Sequence, residues 1–384
     1  MATNELSSLF TPFTLNGITL RNRFVMPAMQ RGRCSRGMPT PQMVDYYRRR
    51  VEGGIALVIG ESAAVDHPSS TQQEGAAHVF GRALDGWADC IQAVKAAGGE
   101  MLLQLWHEGA VRKQHAGGLY PDYPSLSPSG LVQAGKSNGR AATLAELDEI
   151  REAFVRGALA ARAIGAAGIE VHAAHGYFLD LFLWAETNRR EDGYGGDEIR
   201  DRARFPAEIV AAIRAATGPD FIISFRFSQW KEVDFSARVV DTQEQLRTLL
   251  SILRTAGVDI FHASTRRLHE PAWPDSTLGL AGWTRALSDA PVIAVGSVGL
   301  DVDLMDNLFG QEANPTGRTG LLETAQRLER GEFDLVSVGR AVIGDADWVR
   351  KVEQGRWSEL KPFRREDMLT EWEMDFVLEA HGQR

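Results

Sequence analysis

Short apolar runs recur along this chain, each opened by glycine or proline and separated by amphipathic stretches. Gly53-Gly54 precedes Ile55-Ala56-Leu57-Val58-Ile59, and Gly98-Gly99 precedes Met101-Leu102-Leu103-Gln104-Leu105. Gly168 precedes Ile169-Glu170-Val171, Gly218 precedes Phe221-Ile222-Ile223, and Gly257 precedes Val258-Asp259-Ile260-Phe261. Pro291 opens Val292-Ile293-Ala294-Val295, Gly331 precedes Phe333-Asp334-Leu335-Val336-Ser337-Val338, and Phe24-Val25-Met26 is a candidate first strand. Nearly continuous apolar runs of this length suit parallel strands covered on both faces. Glycine just past a helix supplies a left-handed C-terminal cap, so each repeat reads as helix, glycine, strand. Residues 43–51 and 144–164 are the clearest helices. In the second, Thr143 with Glu146 makes a capping box, and Leu147, Ile150 and Phe154 fall on one face.

Eight such strands alternate with helices, after a hairpin signalled by Asn16-Gly17 between alternating apolar residues. The fold class is therefore α/β, a single (β/α)8 TIM barrel, an architecture that typically needs about 250 residues. The whole chain, 1–384, is read as one domain, with residues 1–21 forming a hairpin plug at one end. The surplus lies in 107–142, a lid or small subdomain after strand three, and in a second loop at 264–277. Residues 364–384 are expected to form a closing helix over 368–379, packed on the barrel or on a neighbouring subunit. A doubly wound open sheet is the alternative, but it calls for a glycine-rich phosphate loop after its first strand. Met26-Pro27-Ala28-Met29 stands there instead.

Composition narrows the class. With 384 residues, 44% of them apolar, the chain has material for a large core, and its net charge of −9 argues against a nucleic-acid partner. Cys34 and Cys90 are too few for a disulfide framework or a multi-thiolate metal site. The N-terminus lacks the basic and apolar regions of a signal peptide, and no apolar run is long enough to span a membrane. A cytoplasmic protein is expected, with oligomeric state open.

Barrel chemistry sits at the C-terminal ends of strands. The third strand offers Gln104-Leu105-Trp106-His107, and the fourth His172, His175 and Tyr177, three donors where that strand should end. The fifth carries Arg226 inside an apolar run. A lone buried arginine needs a partner, either a structural carboxylate or an anionic ligand. With Gln104 it would offer donors to a polar heteroaromatic ring such as a flavin. Gly296-Ser297 and Gly339-Arg340 follow strands seven and eight, where barrels frequently bind phosphate. Each glycine alone reads equally well as a tight turn. Two histidines three apart also suit a metal, but that chemistry wants carboxylates at other strand ends. Glu61, expected after strand two, is the one candidate, and the ends of strands five to eight show none.

At this point the chain resembles the Old Yellow Enzyme family of FMN-dependent ene-reductases, over nearly its whole length. The resemblance rests on Leu20-Arg21-Asn22-Arg23-Phe24-Val25-Met26, Gln104-Leu105-Trp106-His107 and His172-Ala173-Ala174-His175-Gly176-Tyr177. It extends to Asn188-Arg189-Arg190 with Asp192, to Tyr194-Gly195-Gly196, and to Gly339-Arg340. It implies a barrel with non-covalent FMN at its C-terminal mouth and NAD(P)H as electron donor. Pro27, Ala28, Met29 and Gln30 would lie against the flavin, Ser62 would follow strand two, and Gln104 would meet the pyrimidine edge. Arg226 would stand near flavin N1 and O2, and Gly296, Ser297, Gly339 and Arg340 would hold the phosphate. His172 and His175 match the pair that grips a carbonyl or nitro oxygen, and Tyr177 the proton donor.

The implied reaction passes hydride from the nicotinamide to the flavin, then to the β-carbon of an activated alkene such as an enone, maleimide or nitroalkene. Several positions depart from the family pattern: Gln30 replaces Thr or Cys, Ala28 a proline, Ser62 a Gly or Ala, and Ala110 an arginine. The stretch 197–204 lacks the usual Glu-Asn-Arg. Larger relatives carry iron–sulfur and nucleotide-binding domains after the barrel, whereas this sequence reads as a stand-alone reductase without a metal. Two competing readings are a metal-dependent hydrolase using His172 and His175, and a flavin-binding protein with little turnover.

Overall fold

A computed structural model of the chain describes residues 5–115 and 118–367. The expected helix at 368–379 lies outside the described residues. Eight parallel strands close into a barrel: β1 (Phe24–Met26), β2 (Leu57–Ala64), β3 (Glu100–Trp106) and β4 (Gly168–His175). They continue with β5 (Ile222–Lys231), β6 (Ile260–Ser264), β7 (Val292–Val295) and β8 (Leu335–Ser337). Each pairs with its neighbour in chain order, and β8 pairs with β1 through Val336–Phe24 and Ser337–Val25. That closure excludes the open-sheet alternative.

Helices α1 (Pro41–Glu52), α2 (Ala83–Ala96), α3 (Leu144–Ala163) and α4 (Arg204–Thr217) follow β1, β2, β3 and β4. Then α5 (Gln243–Ala256), α6 (Leu280–Ser288), α7 (Gly317–Glu329) and α8 (Trp348–Glu353) follow the other four strands. The capping box forms as the sequence implies, with Thr143 and Glu146 satisfying each other's backbone donors at the start of α3. The glycine that ends α3 is Gly165 (φ 87°), while Gly168 is already the first residue of β4.

The hairpin strands Phe13–Leu15 and Ile18–Leu20 turn at Asn16 and Gly17, both left-handed (φ 47° and 80°). Such a turn matches the twist of the flanking strands. Phe13, Leu15 and Ile18 pack against Leu57, Leu102, Ile222, Ile260 and Leu335, which lie at or near the starts of their strands. Among residues 107–142 a 3-10 turn at Gly109–Val111 is followed by two-stranded pairings of Leu126–Ser127 with Arg140–Ala141 and of Leu131–Gln133 with Lys136–Ser137. Among the described residues no helix is long and apolar enough to cross a membrane.

Candidate active site

The strands deliver their polar residues to one cavity of about 310 Å³. Every residue that the resemblance assigns to the flavin or the substrate lines it. Pro27, Ala28, Met29 and Gln30 come from the segment after β1, Ser62 from β2, Gln104 from β3 and Arg226 from β5. Gly296 and Ser297 come from the turn after β7, and Gly339 and Arg340 from the turn after β8. His172, His175 and Tyr177 complete the wall from β4 and the turn beyond it.

Three positional expectations need correction. Ser62 lies inside β2, since that strand runs on to Ala64. His172 and His175 lie within β4, which extends to His175. Glu61 also belongs to β2, and its carboxylate accepts the Arg31 backbone N–H at 2.6 Å and the Cys34 thiol at 3.2 Å, apart from the cavity. Burial pushes that carboxyl up to about 7.

Residues three apart on a regular strand face opposite sides. His172 and His175 nevertheless share the cavity, because the β4–β5 register shifts between Ala173 and His175 and His175 is left-handed at φ 66°. A bulge of this kind re-aims a side chain beside a functional site. The imidazoles end with ring centroids 5.2 Å apart, and Tyr177 stands 5.0 Å from His172 and 5.4 Å, edge-on, from Trp106. His175 Nε2 shares a hydrogen with Ser264 Oγ at 2.8 Å, and its ring packs at 4.6 Å on Trp230. Burial, and then the Arg226 charge, hold His172 down to about 3 and His175 well below the usual imidazole value. Both are neutral at physiological pH, and so act as hydrogen-bonding groups rather than acids.

Across the floor of the cavity runs a chain of buried hydrogen bonds. Ser62 Oγ donates to Gln104 Oε1 at 2.5 Å, and Gln104 Nε2 donates to Glu170 Oε1 at 2.8 Å. Glu170 Oε2 accepts from Ser224 Oγ at 2.9 Å and from His262 Nδ1 at 2.8 Å. Burial raises the Glu170 carboxyl, but His262, Arg226 and the Gln104 hydrogen bond overcome it and hold the group at about 2. Glu170 is thus a buried anion that fixes the amide of Gln104 and balances Arg226. Arg226 itself reaches Ala28 O at 3.3 Å and Ser264 Oγ at 3.4 Å, and its Nε is buried with no protein partner among the described residues. Both amide atoms of Gln30 are buried and unpartnered in the same way.

At the opposite end, Gly296 (φ 154°) has room for no side chain, since a Cβ would stand 2.6 Å from the Leu268 nitrogen. Arg340 bridges the two turns, donating to Ser297 Oγ at 3.2 Å, Val302 O at 2.7 Å and Asp303 O at 3.0 Å. Burial lowers it to about 10, so it keeps its charge at neutral pH.

The sequence reading missed Glu232. The apolar run of the fifth strand stops well short of Lys231, so the sequence shows no carboxylate at that strand's end. Glu232 follows directly, lines the cavity, and lies 3.5 Å from the Tyr177 hydroxyl. The signal that could have found it is the polar run Ser228-Gln229-Trp230-Lys231-Glu232 beyond Arg226. Among the described residues no three His, Cys, Asp or Glu side chains are placed to share a metal ion. The groups beside the two histidines include Ser264, Trp230 and Tyr177, and the Arg226 charge acts on both rings more strongly than the Glu170 carboxylate acts on His172, which disfavours a bound cation.

Comparison with known proteins gives the family and supports the fold. The profile of the NADH:flavin oxidoreductase / NADH oxidase family matches residues 8–359. NADH oxidase of Thermoanaerobacter brockii is 31% identical over 367 residues, covering 92% of this chain and 52% of that protein. NADPH dehydrogenase of Halalkalibacterium halodurans is 28% identical, covering 89% of this chain and 98% of that one. This chain spans about half the length of several curated relatives it matches, 52% and 50% of two of them. Among solved structures, morphinone reductase in complex with tetrahydroNAD superposes with a TM-score of 0.76 at 25% identity over 94% of both chains. The Old Yellow Enzyme homologue from Zymomonas mobilis gives 0.76 at 25% identity, covering 96% of this chain and 98% of that one. The chain belongs to the NADH:flavin oxidoreductase / NADH oxidase family, that of the Old Yellow Enzymes.

Proposed function

We propose that the protein is an FMN-dependent oxidoreductase that uses NAD(P)H to reduce activated alkenes such as enones, maleimides or nitroalkenes. One observation carries the reading. A single cavity joins a glycine-and-arginine cradle at one end to His172, His175 and Tyr177 at the other, with Gln30, Gln104 and Arg226 between them. Morphinone reductase holds tetrahydroNAD in the same fold, which supports a nicotinamide donor.

The residues present fit FMN. Gln30 and Arg226 have buried polar atoms without protein partners among the described residues, and a flavin ring carries both donors and acceptors to meet them. Gly296, Ser297, Gly339 and Arg340 would hold the phosphate, the arginine by charge-assisted hydrogen bonds. FMN, when bound, supplies the hydride chemistry. The chain's own residues do the rest. Glu170 fixes the orientation of Gln104, and Arg226 offers a positive charge to whatever negative charge develops beside it. The neutral histidines present N–H donors to a carbonyl or nitro oxygen, with the Ser264 hydroxyl as the partner such an oxygen would replace at His175. Donors aimed where charge develops act as an oxyanion hole. Tyr177 gives its phenolic proton to the α-carbon as general acid.

The test is an anaerobic absorbance titration of the purified protein. A flavin band that bleaches with NADPH or NADH and returns with 2-cyclohexenone supports the reading. A colourless protein that takes up no FMN overturns the cofactor assignment, and a band that bleaches but does not return with the enone overturns the substrate class.

A further inference from the structure

Tyr177 and Glu232 enter the cavity from just beyond the ends of β4 and β5, with Tyr177 Oη 3.5 Å from Glu232 Oε2. That is the outer limit for an O–H···O bond, and catalytic contacts of this length tighten in a substrate complex. The Glu232 backbone N–H donates to His175 O at 3.2 Å, which ties the carboxyl to the segment that carries the histidines and the tyrosine.

The charges around Glu232 are few. The Arg226 charge acts on it from its own strand, and His172 and His175 line the same cavity as neutral rings. Lys231 turns the other way, into a fully buried pair with Asp180 at 2.8 Å, and Asp234 contacts Lys231 through its backbone. From the loop after β6, Arg266 lies 4.5 Å over the Phe235 ring and pairs with Asp303. Glu108, from the turn after β3, lines the same cavity but is held by the Gln72 backbone and the Gln73 amide. Burial outweighs Tyr177 and Arg226, and pushes the Glu232 carboxyl up to about 7.

A phenol that gives its proton to carbon must recover one before the next turnover, and a phenolate walled by Trp106 and His172 is costly to keep. The two histidines hold no proton to spare at neutral pH. We propose that Glu232 is the proton relay that recharges Tyr177, an inference resting on the alkene-reductase reading above. As the α-carbon–hydrogen bond forms, the Tyr177 O–H bond breaks. The phenolate oxygen then takes the proton of the Glu232 carboxyl, and the resulting carboxylate is reprotonated by water at the cavity mouth. While protonated, Glu232 also donates to the phenol oxygen and makes Tyr177 the stronger acid. Glu232 acts on the substrate only through Tyr177.

The experiment is the pH profile of the alkene half-reaction in stopped flow with 2-cyclohexenone, for wild type, Glu232→Gln and Tyr177→Phe, all loaded with FMN. In wild type the rate should fall as pH rises through about 7, as Glu232 ionises and ceases to donate to the phenol oxygen. E232Q should lose that inflection, and its alkene half-reaction should slow about tenfold more than its nicotinamide half-reaction, a fraction of what general acid catalysis supplies. Difference infrared spectra of the apoprotein give a second readout: one protonated-carboxyl band titrating near 7 should vanish in E232Q. Y177F slow with E232Q keeping both the inflection and the band would overturn the relay alone. A Y177F enzyme as fast as wild type would overturn the donor role on which the relay rests.

Discussion

At the hairpin end of the barrel, Leu57, Leu102, Ile222, Ile260 and Leu335 close around Phe13, Leu15 and Ile18, apolar surface against apolar surface. At the other end the barrel presents Gln104, His172, Arg226 and Ser264, with Gln30 and Arg226 keeping buried polar atoms that have no protein partner among the described residues. One end gains stability from area removed from water. The other holds desolvated charge and unpaired donors, which lower stability and create a binding site. The barrel separates the two tasks along its axis, so substitutions at the two ends should sort into different measurements.

The sharpest way to break that comparison is Leu102→Ala. Leu102 is fully buried in the hairpin-end cluster, and its truncation should cost about 2–5 kcal/mol in denaturant unfolding. The flavin spectrum of the folded fraction should not move. A changed spectrum would mean that the two ends are coupled.

Gln30→Met works in the opposite direction. Removing two buried, unpartnered polar atoms should raise the apoprotein's stability by about 1–3 kcal/mol while weakening FMN binding. A less stable apoprotein would show that Gln30 is already satisfied there.

The smallest effect is one of pH. Glu61, Glu108 and Glu232 are all pushed up to about 7 by burial. A carboxyl whose folded pKa is raised contributes stability that is full below its unfolded value, near 4.5, and is lost as pH climbs through 7. Apoprotein unfolding should therefore grow easier between those values, and Glu232→Gln should remove about 1–2 kcal/mol of that slope, allowing for its partial exposure. Glu170, held near 2, has the opposite sign and weakens the fold only as pH drops below 4.5. An unchanged slope in E232Q would contradict the raised carboxyl.

Much of this was legible in the chain. Apolar runs mark all eight strands, six of them led by glycine, because parallel strands buried on both faces leave little room for anything else. The Thr143–Glu146 box and the Asn16-Gly17 turn are local chemistry, and formed as written. Strand ends were less legible, since β2, β4 and β5 run several residues beyond their apolar runs and carry Ser62, His175 and Lys231 inside them. Periodicity fades once a strand leaves the core for the mouth. The bulge at Ala173 and His175, which brings two histidines three apart to one face, has no sequence signature. The Glu170 network was invisible for a related reason: Gln104, Ser224 and His262 come from three different strands and meet only when the barrel closes.

The central claim is that the mouth reduces an alkene with Tyr177 as its proton donor. Its most direct test is stopped-flow measurement of the two half-reactions in Tyr177→Phe. The account predicts that the alkene half-reaction slows about 100-fold more than the nicotinamide half-reaction, the lower range for general acid catalysis. Equal losses in the two half-reactions would contradict it.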